Sequence, residues 1–376
     1  MDQSEVKKGL DGVVVDVSAV SKVMQDINAL TYRGYDVSKL CEICCFEAVA
    51  HLLLYGELPN EPELKSFLEK ERSSRNIDAS LYQAIKLFPK DAHPMDAVRT
   101  AVSFLGMQDK QASDNSQEAN EQKAIRLLAK IPTVIAAFFR HRKGQDPIQP
   151  NQDLSISENF FHMCFGKPTA KELIKAFEAS LILYAEHGFN ASTFTARVIT
   201  SSLADFHGAV TGAIASLKGP LHGGANEAVM HMMEEIGDPA KAEQWLLQAL
   251  KEKRKIMGFG HRVYKKGDSR VPTMKEHFFA VADFLGNTKY KEMYGKLEET
   301  MIREKGIYPN LDFPAGPAYY LMGFDIDFFT PIFVMARITG WSAHIIEQSK
   351  SNKLIRPLSL YSGVETRKVL PLKERG

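Results

Sequence analysis

From Val37 to Tyr55 apolar residues recur at Leu40, Cys44, Val49, Leu52 and Leu53, a roughly helical spacing, and Gly56 and Pro59 then stop the run. The same character returns in Ala97 to Leu105, in Ala124 to Arg140 and in Ala170 to Glu186, the last with Thr169 placed to act as its N-cap. Strand-like alternation is scarce. Its best example, Gly12-Val-Val-Val-Asp-Val17, predicts a small edge hairpin. Residues 191–218 are rich in Ala, Ser, Thr and Gly, and Gly208, Gly212 and Ser216 fall four apart on one helix face. Such a stripe lets another helix come close, so this segment predicts a buried interface helix that ends at Gly219-Pro220. Segment 107–123 is polar and reads as a solvent loop. There is no repeat of the solenoid kind and no strand feeding a Gly-rich nucleotide fingerprint. The pattern predicts an all-α fold.

Composition narrows the class. A chain of 376 residues favours two domains, and 44% apolar with 25% charged residues supplies a large core without disulfides or metals. Lys and Arg number 47 against 46 Asp and Glu, so no global basic field exists and a nucleic-acid protein is disfavoured. The start, Met1-Asp-Gln-Ser-Glu-Val-Lys-Lys8, is charged, and the longest apolar stretches, such as Val134 to Phe139, are far short of a membrane span. The expectation is a cytoplasmic protein with no membrane partner. Cys41-x-x-Cys44-Cys45 resembles half a zinc site, but no second ligand pair completes it. Free thiols in a reduced compartment, and no metal, are expected.

Three segments carry candidate chemistry: Gly219-Pro-Leu-His222-Gly-Gly-Ala-Asn226, Gly258-Phe-Gly-His261-Arg-Val-Tyr264 and Pro309-Asn-Leu-Asp312-Phe-Pro-Ala315. Each sets one ionisable group among glycines or prolines, where backbone turns sharply and approaches a ligand. His222 precedes an amphipathic helix bearing Val229, Met232, Met233 and Ile236, and the positive end of that helix would hold the ring neutral. A loop histidine satisfying backbone groups is the alternative. His261 sits in a basic region with Lys251, Lys253, Arg254, Lys255, Arg262, Lys265, Lys266 and Arg270 around Gly258-Phe-Gly260. Exposed backbone amides beside cations suit a phosphate-bearing ligand such as coenzyme A, whereas the lysine run alone would be a solvated helix face. Asp312, between prolines and aromatics, is either a desolvated base or a helix cap. Arg337 lies in the apolar run Pro331 to Trp341, where a buried cation needs an anion. With Arg270 and Arg356 it makes a set of guanidinium forks for a small dicarboxylate, or else three structural ion pairs.

Together with Tyr32-Arg-Gly-Tyr-Asp36, His93-Pro-Met-Asp96, Ala185-Glu-His-Gly-Phe-Asn-Ala-Ser-Thr193, Gly340-Trp-Ser-Ala-His344 and Ile355-Arg-Pro357, these segments resemble, nearly end to end, the short citrate synthases and the related 2-methylcitrate synthases. The resemblance implies that Asp312 removes the α-proton of an acyl-CoA. It implies that His222 hydrogen-bonds the thioester oxygen and that His261 polarises the oxaloacetate carbonyl. His187, Arg270 and Arg337 would be oxaloacetate ligands, and Arg356 a carboxylate ligand that crosses a homodimer interface. Arg72 would be a further substrate contact, and Lys255, Ile256, Met257, Gly258 and Phe259 the coenzyme A turn. A large domain of residues 1–218 completed by 322–376, a small domain of 219–321 and a hinge at Gly219-Pro220 follow from the same resemblance. Where many relatives have Asp-Pro-Arg, this chain has Asp268-Ser-Arg270, which keeps the arginine and loses the rigid proline.

His93-Pro-Met-Asp96, Tyr32-Arg-Gly-Tyr-Asp36 and the run Phe313 to Ala318 look more like the 2-methylcitrate branch, which implies propionyl-CoA as well as acetyl-CoA as substrates. An acetyl-CoA-preferring citrate synthase is the alternative, and a non-catalytic coenzyme A or dicarboxylate sensor a remote one. The ATP-dependent citrate-cleaving lyase shares this module but needs a nucleotide-grasping domain for which the length leaves no room. A helical scaffold would show repeats, and none is present.

Overall fold

The computed structural model describes residues 6–10, 12–261, 263–264 and 267–375. Its helices are α1 (Val37–Ile43), α2 (Phe46–Tyr55), α3 (Glu61–Ser73), α4 (Ala79–Leu87), α5 (Pro94–Gln108), α6 (Gln117–Arg142), α7 (Ile156–Phe165) and α8 (Lys171–Tyr184). They continue as α9 (Ala191–Ser201), α10 (Phe206–Leu217), α11 (Ala225–Ile236), α12 (Ala242–Lys251), α13 (Val271–Phe284), α14 (Lys289–Lys305), α15 (Asp312–Leu321) and α16 (Phe329–Lys350). The all-α expectation holds. Helix α16 is apolar all round and buried along almost its whole length, as a central helix must be. Around it pack α6, α9, α10, α8 and α2, while α10 also rests on α9 and α5. Helices α11, α13 and α15 form a second cluster, joined to the first where α13 lies on α8 and α11 meets α16.

Local chemistry sets several ends. Asn60 and Glu63 form a reciprocal capping box on α3, and Ser155 and Glu158 form another on α7. Other ends differ from the sequence expectation. Helix α8 is capped by Ala170 without a side-chain bond, so Thr169 plays no such part. The run Val37 to Tyr55 breaks because Cys44 and Cys45 are extended. All four cysteines are free. Cys164 is buried and the other three half-buried, and burial pushes the Cys45 thiol up to about 12.

Residues 12–17 form no strand. Val14 and Val17 are 87% and 84% exposed, and alternation without a partner strand has nothing to bond to. The sheet lies just downstream, as β1 (Ser21–Met24), β2 (Ala29–Tyr32) and β3 (Tyr35–Asp36), paired antiparallel with Ser21 opposite Tyr32 and Tyr32 opposite Tyr35. Arg33 and Gly34, at φ 49° and 93°, supply the two positive-φ residues that a tight hairpin turn requires. Segment 107–123 is a loop only in its middle. Helix α6 starts at Gln117, and Lys123 is buried with its ammonium donating to the Ala112 and Asp114 carbonyls. Residues 191–217 form two helices, broken by a turn in which Leu203 has φ 65°. Of the small-residue stripe, only Gly212 admits another helix: a Cβ there would lie 2.2 Å from Ile199 of α9. No helix among the described residues is long and apolar enough to cross a membrane.

Candidate active site

A cleft of about 1120 Å³ opens among the α8–α9 turn, the segment after α10, the turn 255–261, the start of α15 and the middle of α16. It exceeds the ~300–1,000 Å³ of an ordinary small-molecule pocket and suits a nucleotide-bearing substrate. His222, His261 and Asp312 all line it, as do His187, Arg270, Arg337 and the stretch Lys255 to Phe259.

His222 Nε2 accepts from the backbone N–H of Ser192 at 3.2 Å and lies 2.8 Å from the Ser192 hydroxyl. An amide can only donate, so Nε2 is unprotonated and the ring proton of neutral His222 sits on Nδ1. Burial, aided by the Arg337 charge, pulls the ring's pKa down to about 3. The helix N-terminus that hydrogen-bonds His222 is that of α9, whose second residue is Ser192, while His222 stands two residues before the N-cap of α11. His261 has the opposite tautomer. Its Nδ1 accepts from the amides of Val263 at 3.0 Å and Tyr264 at 3.2 Å, which leaves the proton on Nε2. Burial and the neighbouring Arg270 lower it to about 4. Both rings are therefore neutral N–H donors at physiological pH.

The His187 ring lies 4.9 Å from that of His261 and is likewise held neutral, by burial and by Arg270. Its buried Nε2 has no hydrogen-bond partner among the described residues, which is costly unless a ligand supplies one. Arg270 is paired: its Nη2 and Nε meet the Asp268 carboxylate at 2.7 and 2.9 Å. Burial works to raise the Asp268 pKa, yet Arg270 holds it well below the carboxylate range. The structural-ion-pair alternative thus applies to Arg270 in part. It does not apply to Arg337, whose Nε donates to the Tyr184 carbonyl at 2.7 Å and whose guanidinium lies over the Phe333 ring at 4.7 Å. No ion pair among the described residues involves Arg337, and its burial lowers its pKa to about 10.

Asp312 opens α15, but Leu311 holds the cap position, so the carboxylate is free of the capping role. Its Oδ1 accepts from the Tyr184 hydroxyl at 2.7 Å, and burial raises its pKa to about 6 against the opposing effect of that bond. The Tyr184 ring is tilted against Phe333 with centroids 4.2 Å apart, and the Phe333 ring lies 6.4 Å from that of His222, so one aromatic pair lies between Asp312 and His222.

The turn at 258–260 is tied to the Asp312 segment. Gly260 N–H donates to the Tyr308 carbonyl at 2.8 Å, and Asn310 N–H to that of Gly258 at 2.9 Å. Gly258 has φ 83°, and a Cβ would stand 2.5 Å from Val229 and 2.9 Å from Phe313, so no other residue fits. Lys255 faces the cleft, whereas Arg254 is drawn off to Glu235 and the Trp245 ring. Arg262, Lys265 and Lys266 lie outside the described residues. Arg72, on α3, and Arg356, exposed in the C-terminal segment, are not among the residues lining the cleft. Sequence reasoning gave no role to Tyr184, Ser192 or Phe333. Ser192 lies inside a stretch already singled out, but its contact with His222 spans 30 residues, and that of Tyr184 with Asp312 spans 128.

A carboxylate of raised pKa and two neutral imidazole donors line one cleft on a helical frame, a set of groups able to handle a carbon acid and its enolate. The chain belongs to the citrate synthase family, whose model, described as citrate synthase, C-terminal domain, matches residues 9–358. It is therefore an acyltransferase of the kind that condenses with oxaloacetate. It is 56% identical over 370 residues to a 2-methylcitrate synthase of Mycobacterium tuberculosis, covering 98% of this chain and 93% of that protein. To a citrate synthase of Mycolicibacterium smegmatis it is 53% identical over 365 residues, with 97% of each covered. Among solved structures it superposes on the ternary complex of carboxymethyl coenzyme A and oxaloacetate with citrate synthase from Thermoplasma acidophilum. That match has a TM-score of 0.92 at 33% identity and covers 99% of this chain and all of that one.

Proposed function

We propose that this enzyme is a 2-methylcitrate synthase that also accepts acetyl-CoA. Asp312 takes an α-proton from propionyl-CoA while His222 Nδ1–H donates to the thioester oxygen. The enol carbon then attacks the ketone of oxaloacetate, whose oxygen receives the Nε2–H of His261. Water cleaves the resulting thioester, and coenzyme A leaves as its thiol. His187, Arg270 and Arg337 grip oxaloacetate, Lys255 to Phe259 hold coenzyme A, and Arg356 reaches the site of the partner subunit in a homodimer. Arg72 has no place in this assignment. Residues 219–321 form a small domain that closes on 1–218 and 322–376 about a hinge that begins at Gly219-Pro220, with the stretch up to Glu227 staying seated on the large domain, excluding water before the thioester is activated. No metal or resident cofactor is required, and the enzyme works in the cytoplasm.

The observation that carries this reading is the opposed protonation of the two imidazoles, each set by a backbone amide, at a cleft that also holds a carboxylate of raised pKa. The Mycobacterium tuberculosis relative and the Phe313 to Ala318 run support propionyl-CoA. The similar citrate synthase of Mycolicibacterium smegmatis supports acetyl-CoA as the second reading. One methylene in an apolar pocket is worth only ~1–3 kcal/mol. Comparing kcat/KM for the two thioesters in an oxaloacetate-dependent thiol-release assay decides: propionyl-CoA is expected to match or exceed acetyl-CoA, and a strong acetyl-CoA preference reverses the order.

A further inference from the structure

His93-Pro-Met-Asp96 takes no part in the chemistry above, yet both its polar residues reach the stretch that carries His222. His93 caps α5: its Nδ1 accepts from the Met95 amide at 3.1 Å, which puts the ring proton on Nε2. Nε2 faces Glu227 Oε2 at 3.2 Å. Glu227 stands in the first turn of α11, five residues after His222. Its other oxygen accepts from the Thr330 amide at 3.3 Å and lies against the Thr330 hydroxyl. That hydroxyl is also 3.4 Å from the carbonyl of Gly223, the residue next to His222.

Asp96 holds the other end. Its Oδ2 takes the ammonium of Lys218 at 2.6 Å, and Lys218 is the C-cap of α10, four residues before His222. Arg99 binds the remaining oxygen at 2.9 Å. Between these grips the backbone is fixed: Gly223 N–H donates to the Leu217 carbonyl at 2.9 Å, and a Cβ on Gly223 would lie 2.6 Å from Leu217. The first turn of one helix therefore binds both ends of the segment 218–227, and the start of α16 binds it from a third side.

We infer that His93, Asp96 and Glu227 are positioning residues that clamp segment 218–227 and so hold His222 Nδ1–H at the thioester oxygen during enolisation. This deepens the condensation reading and rests on it. The Asp96–Lys218 pair is about one-third exposed on both sides, at 34% and 36%, and such pairs add little to stability. Misplacing a reacting group by about 1 Å costs on the order of 100-fold in rate. That half of the clamp is thus expected to act on kcat rather than on folding, and for the more buried His93–Glu227 half the thermal midpoint separates the two.

The test uses the full-length enzyme and three readouts: thiol release with oxaloacetate and propionyl-CoA, thermal midpoint, and exchange of the acyl-CoA α-protons into D2O beside a dicarboxylate lacking the ketone. His93→Asn keeps an acceptor near Nδ1 for the Met95 amide and removes the donor to Glu227. His93→Gln keeps a donor near Nε2, and Glu227→Gln keeps shape without charge. His93→Asn and Glu227→Gln are expected to lose roughly 10- to 100-fold in kcat and in exchange together, with KM for oxaloacetate within about twofold. His93→Gln is expected to recover to within about threefold of the unsubstituted enzyme. Unchanged kcat and exchange in both damaging variants would overturn the clamp, and so would losses that track only the thermal midpoint. An unsubstituted enzyme that releases no thiol would sink the condensation reading itself, and the clamp with it.

Discussion

At the scale of single residues, Asp312 is the group in the cleft that titrates near neutrality. His222 and His261, lowered to about 3 and 4, stay neutral throughout the working range, while Asp312, raised to about 6, must lose its proton to act as a base. The profile of kcat/KM for the acyl-CoA should therefore fall on the acid side with a midpoint near pH 6 and stay flat above it, with no limb from either imidazole. The Tyr184 hydroxyl favours the ionised carboxylate, so Tyr184→Phe should move that midpoint to higher pH. An unmoved or lowered midpoint would show that the tyrosine does not act on the base. Arg337 is buried, with the Glu186 carboxylate near enough to favour its charge but no described carboxylate within ion-pair distance, so its guanidinium can still bind an anion. Arg337→Ala should raise the oxaloacetate KM at least about 30-fold, the equivalent of about 2 kcal/mol for truncating one side of a buried charge pair. A steady-state titration of oxaloacetate checks this, and an unchanged KM contradicts it.

At the scale of elements, helix content was legible in the sequence because apolar spacing reports which face is buried. Helix ends were less so. The run Val37 to Tyr55 continues in pattern across Cys44-Cys45 although the backbone does not, and residues 191–217 read as one helix because Leu203 disguises a turn made with positive φ. Half-buried carboxylates at such junctions were invisible to periodicity. Glu178 of α8 accepts from the Phe46 amide at the start of α2, and its pKa is raised to about 7 by burial and then by Glu47. A carboxylate raised in the fold binds its proton more tightly folded than unfolded. Its effect on stability is therefore most favourable below about 4.5 and is lost as pH rises to about 7, with no further loss above. Glu178→Gln keeps an acceptor for the amide and removes this titration. Thermal melts should show the variant more stable by roughly 1–3 kcal/mol at pH 8 and level with the parent near pH 4. A difference independent of pH would contradict the assignment.

At the scale of the whole molecule, the three candidate segments stood out in the sequence because glycine and proline mark sharp turns of backbone beside an ionisable side chain. At Gly258 the glycine is required by a positive φ and by close packing on Val229 and Phe313, which both exclude a side chain. The supporting groups did not stand out. Ser192 and Tyr184 acquire meaning only when α9 and α8 bring them to His222 and Asp312, and the tautomer of each imidazole depends on an amide that only the fold can place. Arg72, expected from a weak motif, and Arg356 both lie outside the residues that line the cleft. The same packing brings the α8–α9 turn, the segment after α10, the turn 255–261, the start of α15 and the middle of α16 from separate stretches of chain into one cleft. The most direct test of that site is oxaloacetate-dependent thiol release from propionyl-CoA by Asp312→Asn, alongside isothermal binding of oxaloacetate. The account predicts a fall in kcat of about a thousandfold or more with oxaloacetate affinity retained. Turnover within about tenfold of the parent would remove Asp312 as the base and contradict it.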